Sequence, residues 1–175
     1  MNVLFCVGCD QYDFLTLLQG AERDARAMFD TLSSSGYYVN NRSSLLLSPS
    51  AAEMTKALAA TLRGDRISVF TFFFAGHAGG KNGSFFIALR DSESDALSTT
   101  AFPLSRLFEM VNEFQPSQVN VIIDGCEAGS STSSMHTLLR SEDVGTIRAS
   151  SISFLGACAA DLQVSDTRRH GDERG

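Results

Sequence analysis

The chain has few cysteines, a minority of positive charges and no long apolar run, and each shortage removes a class of function. The four cysteines, Cys6, Cys9, Cys126 and Cys158, fall inside or at the ends of expected strands rather than at the spacings of a disulfide framework. Cys6-Val7-Gly8-Cys9 has the C-x-x-C form but no second ligand pair for zinc. The expectation is therefore reduced thiols in an intracellular, cytoplasmic protein. Fourteen Lys and Arg against 20 Asp and Glu give a net charge of −6, which argues against nucleic acid as a partner. No apolar run reaches the length of a membrane span, and Met1-Asn2-Val3 leads into a strand without a basic leader, so neither membrane nor secretion is expected. Gly8-Cys9-Asp10-Gln11 after the first strand carries neither G-x-G-x-x-G nor a P-loop Lys, which weighs against a nucleotide-binding α/β domain. No internal repeat is present.

What the chain does have is one domain's worth of core: 175 residues, 43% hydrophobic. Apolar runs at 3–8, 67–74, 119–123 and 152–157 read as strands. Tyr37-Tyr38-Val39 and Leu45-Leu46-Leu47 offer a further one, broken by Asn40-Asn41-Arg42. Between the strands, Ala21, Ala25, Met28, Phe29 and Leu32 share one helical face that Gly36 would end. Met54, Ala57, Leu58, Thr61 and Leu62 share another, behind a Ser50/Glu53 capping box. Leu104, Leu107, Phe108 and Val111 mark a third, with Pro103 in its first turn. Ser84–Leu89 after Gly79-Gly80-Lys81-Asn82-Gly83 fits a small hairpin, and Asp91–Thr100 a polar surface loop. Alternation of strands and helices means an α/β sandwich.

Two strands end in chemistry. Ile67–Phe74 runs into Ala75-Gly76-His77-Ala78-Gly79, and Val119–Ile123 into Asp124-Gly125-Cys126-Glu127-Ala128-Gly129, so a His leaves one strand and a Cys leaves another. If the strands are parallel neighbours, both side chains lie at the carboxyl edge of one sheet, where open α/β folds keep their ligand crevices. A Cys–His pair there supports nucleophilic attack on a carbonyl. Taken singly, each has a plain structural reading: free cysteines are usually small buried hydrophobes. His136 and His170 have no strand-edge setting and receive no role.

At these residues the chain resembles the caspase-like cysteine peptidases, within them the metacaspase and bacterial caspase-like branch. The resemblance rests on Phe73–Gly79, on Ile123–Gly129 and on Gly156-Ala157-Cys158-Ala159-Ala160-Asp161-Leu162-Gln163, and runs from Val3 to about Asp166. His77 precedes Cys126 by 49 residues, a separation typical of caspases, although their Gln-Ala-Cys signature is absent. The resemblance implies a three-layer α/β/α sandwich with a mainly parallel central sheet, lacking the last strand and helices. Residues 1–166 would form the large-subunit-like peptidase domain and 167–175 a charged tail or processing remnant.

It further implies site roles. Cys126 is the nucleophile and His77 the proton carrier; the N–H groups of Cys126 and Ala78 form the oxyanion hole, with Ala78 standing where the family usually has Gly. Asp24 and Asp124 match the acidic positions of the specificity pocket, which favours Arg or Lys before the cut bond. Read without the family, Asp24 is a first-turn helix residue and Asp124 a turn cap; Arg23 and Arg26 could serve an acidic-substrate pocket instead, on a face expected to point outward. No cofactor is expected: metacaspases often need calcium, but no D-x-[DN]-x-[DN]-G loop occurs, and Asp91, Glu93 and Asp95 read as a solvated run. The implied partners are protein substrates and a small-subunit-like chain or second copy, the chain being expected to derive from a zymogen cut in its basic tail or at Arg140 or Arg148. The alternative is a catalytically silent caspase-like interaction module.

Overall fold

Runs that are apolar on both faces of a strand need cover on both sides, and two such runs, Asn2–Gly8 and Val69–Ala75, lie within the sheet beside the alternating Gln118–Asp124. The computed structural model describes residues 1–81, 84–125 and 151–157. In it β1 (Asn2–Gly8), β2 (Ser44–Leu47), β3 (Val69–Ala75), β7 (Gln118–Asp124) and β8 (Ser151–Ala157) form one sheet in the order β2-β1-β3-β7-β8. Every pairing in it is parallel. The expected chain of strands and helices thus closes into an α/β fold with a mainly parallel central sheet.

Alternation sorts the side chains to two faces. Val3, Phe5, Val7, Phe70, Phe72, Phe74, Val119, Val121 and Ile123 enter the larger core. It is covered by α2 (Ala51–Leu62) and α4 (Leu104–Phe114), which bury Met54, Leu58 and Leu62, and Leu104, Leu107, Phe108 and Val111. Leu4, Cys6, Phe73 and Ala75 meet α1 (Ala21–Ser34) through Ala21 and Ala25 on the other face. The Ser50/Glu53 capping box forms, and Pro103 sits at the N-cap of α4.

Three expectations need correction. Tyr37–Val39 is not a strand; Val39 N–H donates to the carbonyl of Asn2, and the Tyr38 hydroxyl lies 2.9 Å from that of Thr71, so this stretch uses side-chain and single backbone contacts instead of a ladder. The polar stretch 91–100 contains the one-turn helix α3 (Leu97–Thr100). Its Ser92 is fully buried, accepting from Leu89 N–H at 2.9 Å. The hairpin β4 (Ala78–Lys81) with β5 (Ser84–Ile87) gains a third strand, β6 (Phe102–Pro103), too short to show a period. The 130–150 segment and the 167–175 tail lie outside the described residues.

The carboxyl ends of the strands are tied together by groups distant in sequence. Gly20, the N-cap of α1, has no side chain to cap with. Asp10, in the loop after β1, takes over: its carboxylate accepts from the N–H groups of Gly20 (3.0 Å), Ala21 (2.8 Å) and Glu22 (3.2 Å). The helix end thereby sits on the sheet, where a β-carbon on Gly8 would collide with the Ala21 carbonyl. Asp10→Ala removes an acceptor from N–H groups at a buried helix end and should cost about 2–3 kcal/mol in urea denaturation, with Asp10→Asn recovering part of the loss.

Candidate active site

The register fixes what can meet at the sheet's edge. Gly8 pairs with Ala75, and Ala75 with Asp124, so β1, β3 and β7 end in one row. Beyond that row Gly76 donates its N–H to the Asp124 carbonyl at 3.0 Å, carrying the β3–β7 pairing one residue further, to the doorstep of His77. Gly76 has φ of +150°, and a β-carbon there would lie 2.7 Å from the Tyr12 hydroxyl oxygen, so only glycine fits.

Three contacts orient His77. Its backbone N–H donates to the Tyr12 hydroxyl at 3.0 Å, and the Tyr12 ring lies 4.9 Å from the imidazole, centroid to centroid. Its Nε2 is 2.8 Å from the Thr16 carbonyl. Because a carbonyl can only accept, Nε2 carries the proton, and in the neutral ring Nδ1 is the basic nitrogen. The loop that supplies Tyr12 and Thr16 is braced at both ends: Asp13 N–H donates to the Arg90 carbonyl, Phe14 bridges to Glu93, and Leu18 N–H donates to the Asp10 carbonyl. Neither residue was marked by spacing. Thr16 acts through its backbone, which no side-chain pattern reveals.

On the β7 side, Gly125 follows Asp124 and comes against the same turn. A β-carbon on Gly125 would meet the Gly76 carbonyl at 2.8 Å and the Ala78 methyl at 2.9 Å. The residue before Cys126 therefore touches both neighbours of His77. Cys126 itself lies outside the described residues, as do Cys158, His136 and His170. Ala78 has no positive φ, so its methyl group is accommodated without strain. His77 O accepts from Ala88 N–H, and alternation along the antiparallel ladder then makes Ala78–Ile87 a non-hydrogen-bonded pair. The N–H of Ala78 accordingly points away from β5.

Asp124 is exposed at the end of β7. Asp24 stands in the first turn of α1, which rests on Gly8; two strand spacings put that row position roughly 10 Å from Asp124. Its carboxylate lies 3.4 Å from Arg23, an exposed pair that holds it weakly. Asp91, read as part of a solvated run, accepts from Ala51 N–H at the start of α2. No three His, Cys, Asp or Glu side chains gather into a metal-binding group among the described residues.

Cys6 and Cys9 are buried free thiols. Burial pushes Cys6 up to about 12 and Cys9 up to about 11, the latter partly offset by hydrogen bonds from Tyr12 and Ser48. Both stay protonated and unreactive near neutral pH, which leaves them as core packing.

A cleft of about 370 Å³ opens beside the imidazole, bordered by Leu15, Thr16, His77, Ala78, Phe86 and Leu97 among others. A family model described as the caspase domain matches residues 2–172. No curated protein matches the chain. Tyr12→Phe keeps the ring beside His77 but leaves the His77 N–H without its acceptor, and should lower stability by about 1–2 kcal/mol in urea denaturation.

Proposed function

Because the chain belongs to the caspase domain family of cysteine peptidases, we propose that it is an endopeptidase cutting proteins after Arg or Lys through a Cys126–His77 dyad. The observation that supports this best is the contact of Gly125 with both neighbours of His77, since the next residue in the chain is Cys126.

In this reading the basic Nδ1 of His77 takes the Cys126 thiol proton, and the thiolate attacks the substrate carbonyl carbon. The N–H groups of Ala78 and Cys126 donate to the developing oxyanion. The imidazolium then gives its proton to the leaving amine as the C–N bond breaks, leaving a thioester that a water molecule, deprotonated by His77, hydrolyses. The Nε2–Thr16 bond holds the tautomer through the cycle and stabilises the imidazolium. Asp24 and Asp124 supply negative charge around the residue before the cut bond, for which a cationic side chain is the complement. Pairing with a small-subunit-like chain or second copy, and activation by processing, complete the proposal.

Cys126→Ala and His77→Ala should each lower kcat/KM on a peptide library by at least about a thousandfold while circular dichroism stays unchanged. Full hydrolysis by folded Cys126→Ala would refute the dyad. A cleavage profile of the wild type should favour Arg and Lys, and Asp124→Asn should reduce the preference over neutral residues by up to about fivefold, an exposed carboxylate being worth at most about 1 kcal/mol. Preferential cutting after Asp would count against this pocket.

A further inference from the structure

The cleft beside His77 has a composition that the dyad does not use. Leu15, Phe86, Ala88 and Leu97 supply apolar walls, Ala78, Gly79 and Gly80 a floor of small residues, and no residue of β7 contributes. Gly125, by contrast, arrives against Gly76 and Ala78 from β7. The cleft borders the His77 turn, and the strand that leads to Cys126 comes against the same turn. Its walls are set before any ligand arrives, because Phe86 and Ala88 belong to or follow β5, and Leu15 sits on the loop braced at Asp13, Phe14 and Leu18. Phe14 and Leu17, next to the lining residues Leu15 and Thr16, are 61% and 57% exposed, which extends the apolar surface beyond the rim.

We infer that this cleft receives an apolar side chain from one of the first two substrate residues after the cut bond. The inference rests on the peptidase reading. His77 must reach the leaving nitrogen to protonate it, so the chain that begins at that nitrogen departs past the imidazole, away from the nucleophile. The cleft borders the same imidazole. Its volume of about 370 Å³ holds a Leu or Phe side chain. With mostly apolar walls it gains from burying such a side chain and would leave a carboxylate or ammonium group poorly paired. Apolar sequence after the cut bond is then selected together with the basic residue before it.

Two sets of internally quenched peptides decide the matter, each randomised before the bond and carrying either Leu-Leu or Gly-Gly directly after it. Wild-type kcat/KM should be at least about tenfold higher for the Leu set. Leu97→Asp and Leu15→Asp, both at half-buried positions, should each shrink that ratio to about threefold or less, with thermal melts confirming that the variants fold. Cys126-dependent cutting of both sets by the wild type at rates within twofold of each other would overturn this inference and leave the peptidase reading standing. Absence of any Cys126-dependent cutting would overturn the peptidase reading and this inference with it.

Discussion

The site depends on a parallel register in which β1, β3 and β7 end together. Gly8, Ala75 and Asp124 stand in one row, and everything that could do chemistry lies one or two residues past it. A parallel pair cannot be closed by a tight turn, and the loop after β1 is free to cross the sheet edge. Slipping β7 by a single residue would put Val119, Val121 and Ile123 on the wrong face and carry Asp124 away from Gly76. The phenylalanines of β3 and the valines of β7, by filling one core, therefore also fix the distance between the two exits. Packing sets the site's geometry before any polar contact is made.

Glycine sharpens that constraint into contact. Gly8, Gly76 and Gly125 each occupy a place where a β-carbon would come within 3.0 Å of another part of the chain. Gly8 admits the start of α1, Gly76 admits the Tyr12 hydroxyl, and Gly125 admits the Gly76 carbonyl and the Ala78 methyl. These approaches are possible only because each of the three positions lacks a β-carbon.

Much of this was readable from the residues. The helical faces of α2 and α4 and three of the central strands follow from periodicity, and His77 and Cys126 announce themselves by standing just past strands that stop abruptly. What escaped is what acts through backbone or across long loops. Asp10 looked like an ordinary loop residue because the helix end it caps begins ten residues later; Thr16 contributes a carbonyl that any residue would supply; Tyr12 matters through a hydroxyl whose partner is 65 positions away. Tyr37–Val39 misled because aromatic and β-branched residues mark strands, whereas here Tyr38 serves a single hydroxyl contact with Thr71 on β3. Local pattern reports burial well and says little about which distant backbone group a loop will meet.

The orientation of His77 shows how these levels join. Among the described residues the imidazole makes no ion pair, and its Nε2 is held by a neutral carbonyl rather than a carboxylate. A carbonyl can only accept, so it fixes the tautomer with the proton on Nε2. The consequence is that the ring's direction depends on the placement of the Thr16 peptide unit. That unit is held by Asp13 against Arg90, Phe14 against Glu93, Leu18 against Asp10, and Tyr12 against the His77 backbone. Since Asp10 also caps α1, the same aspartate secures the first turn bearing Asp24 and one end of the loop that aims His77. Helix placement and imidazole direction thus meet at one residue, whose carboxylate caps α1 and whose backbone carbonyl holds the loop.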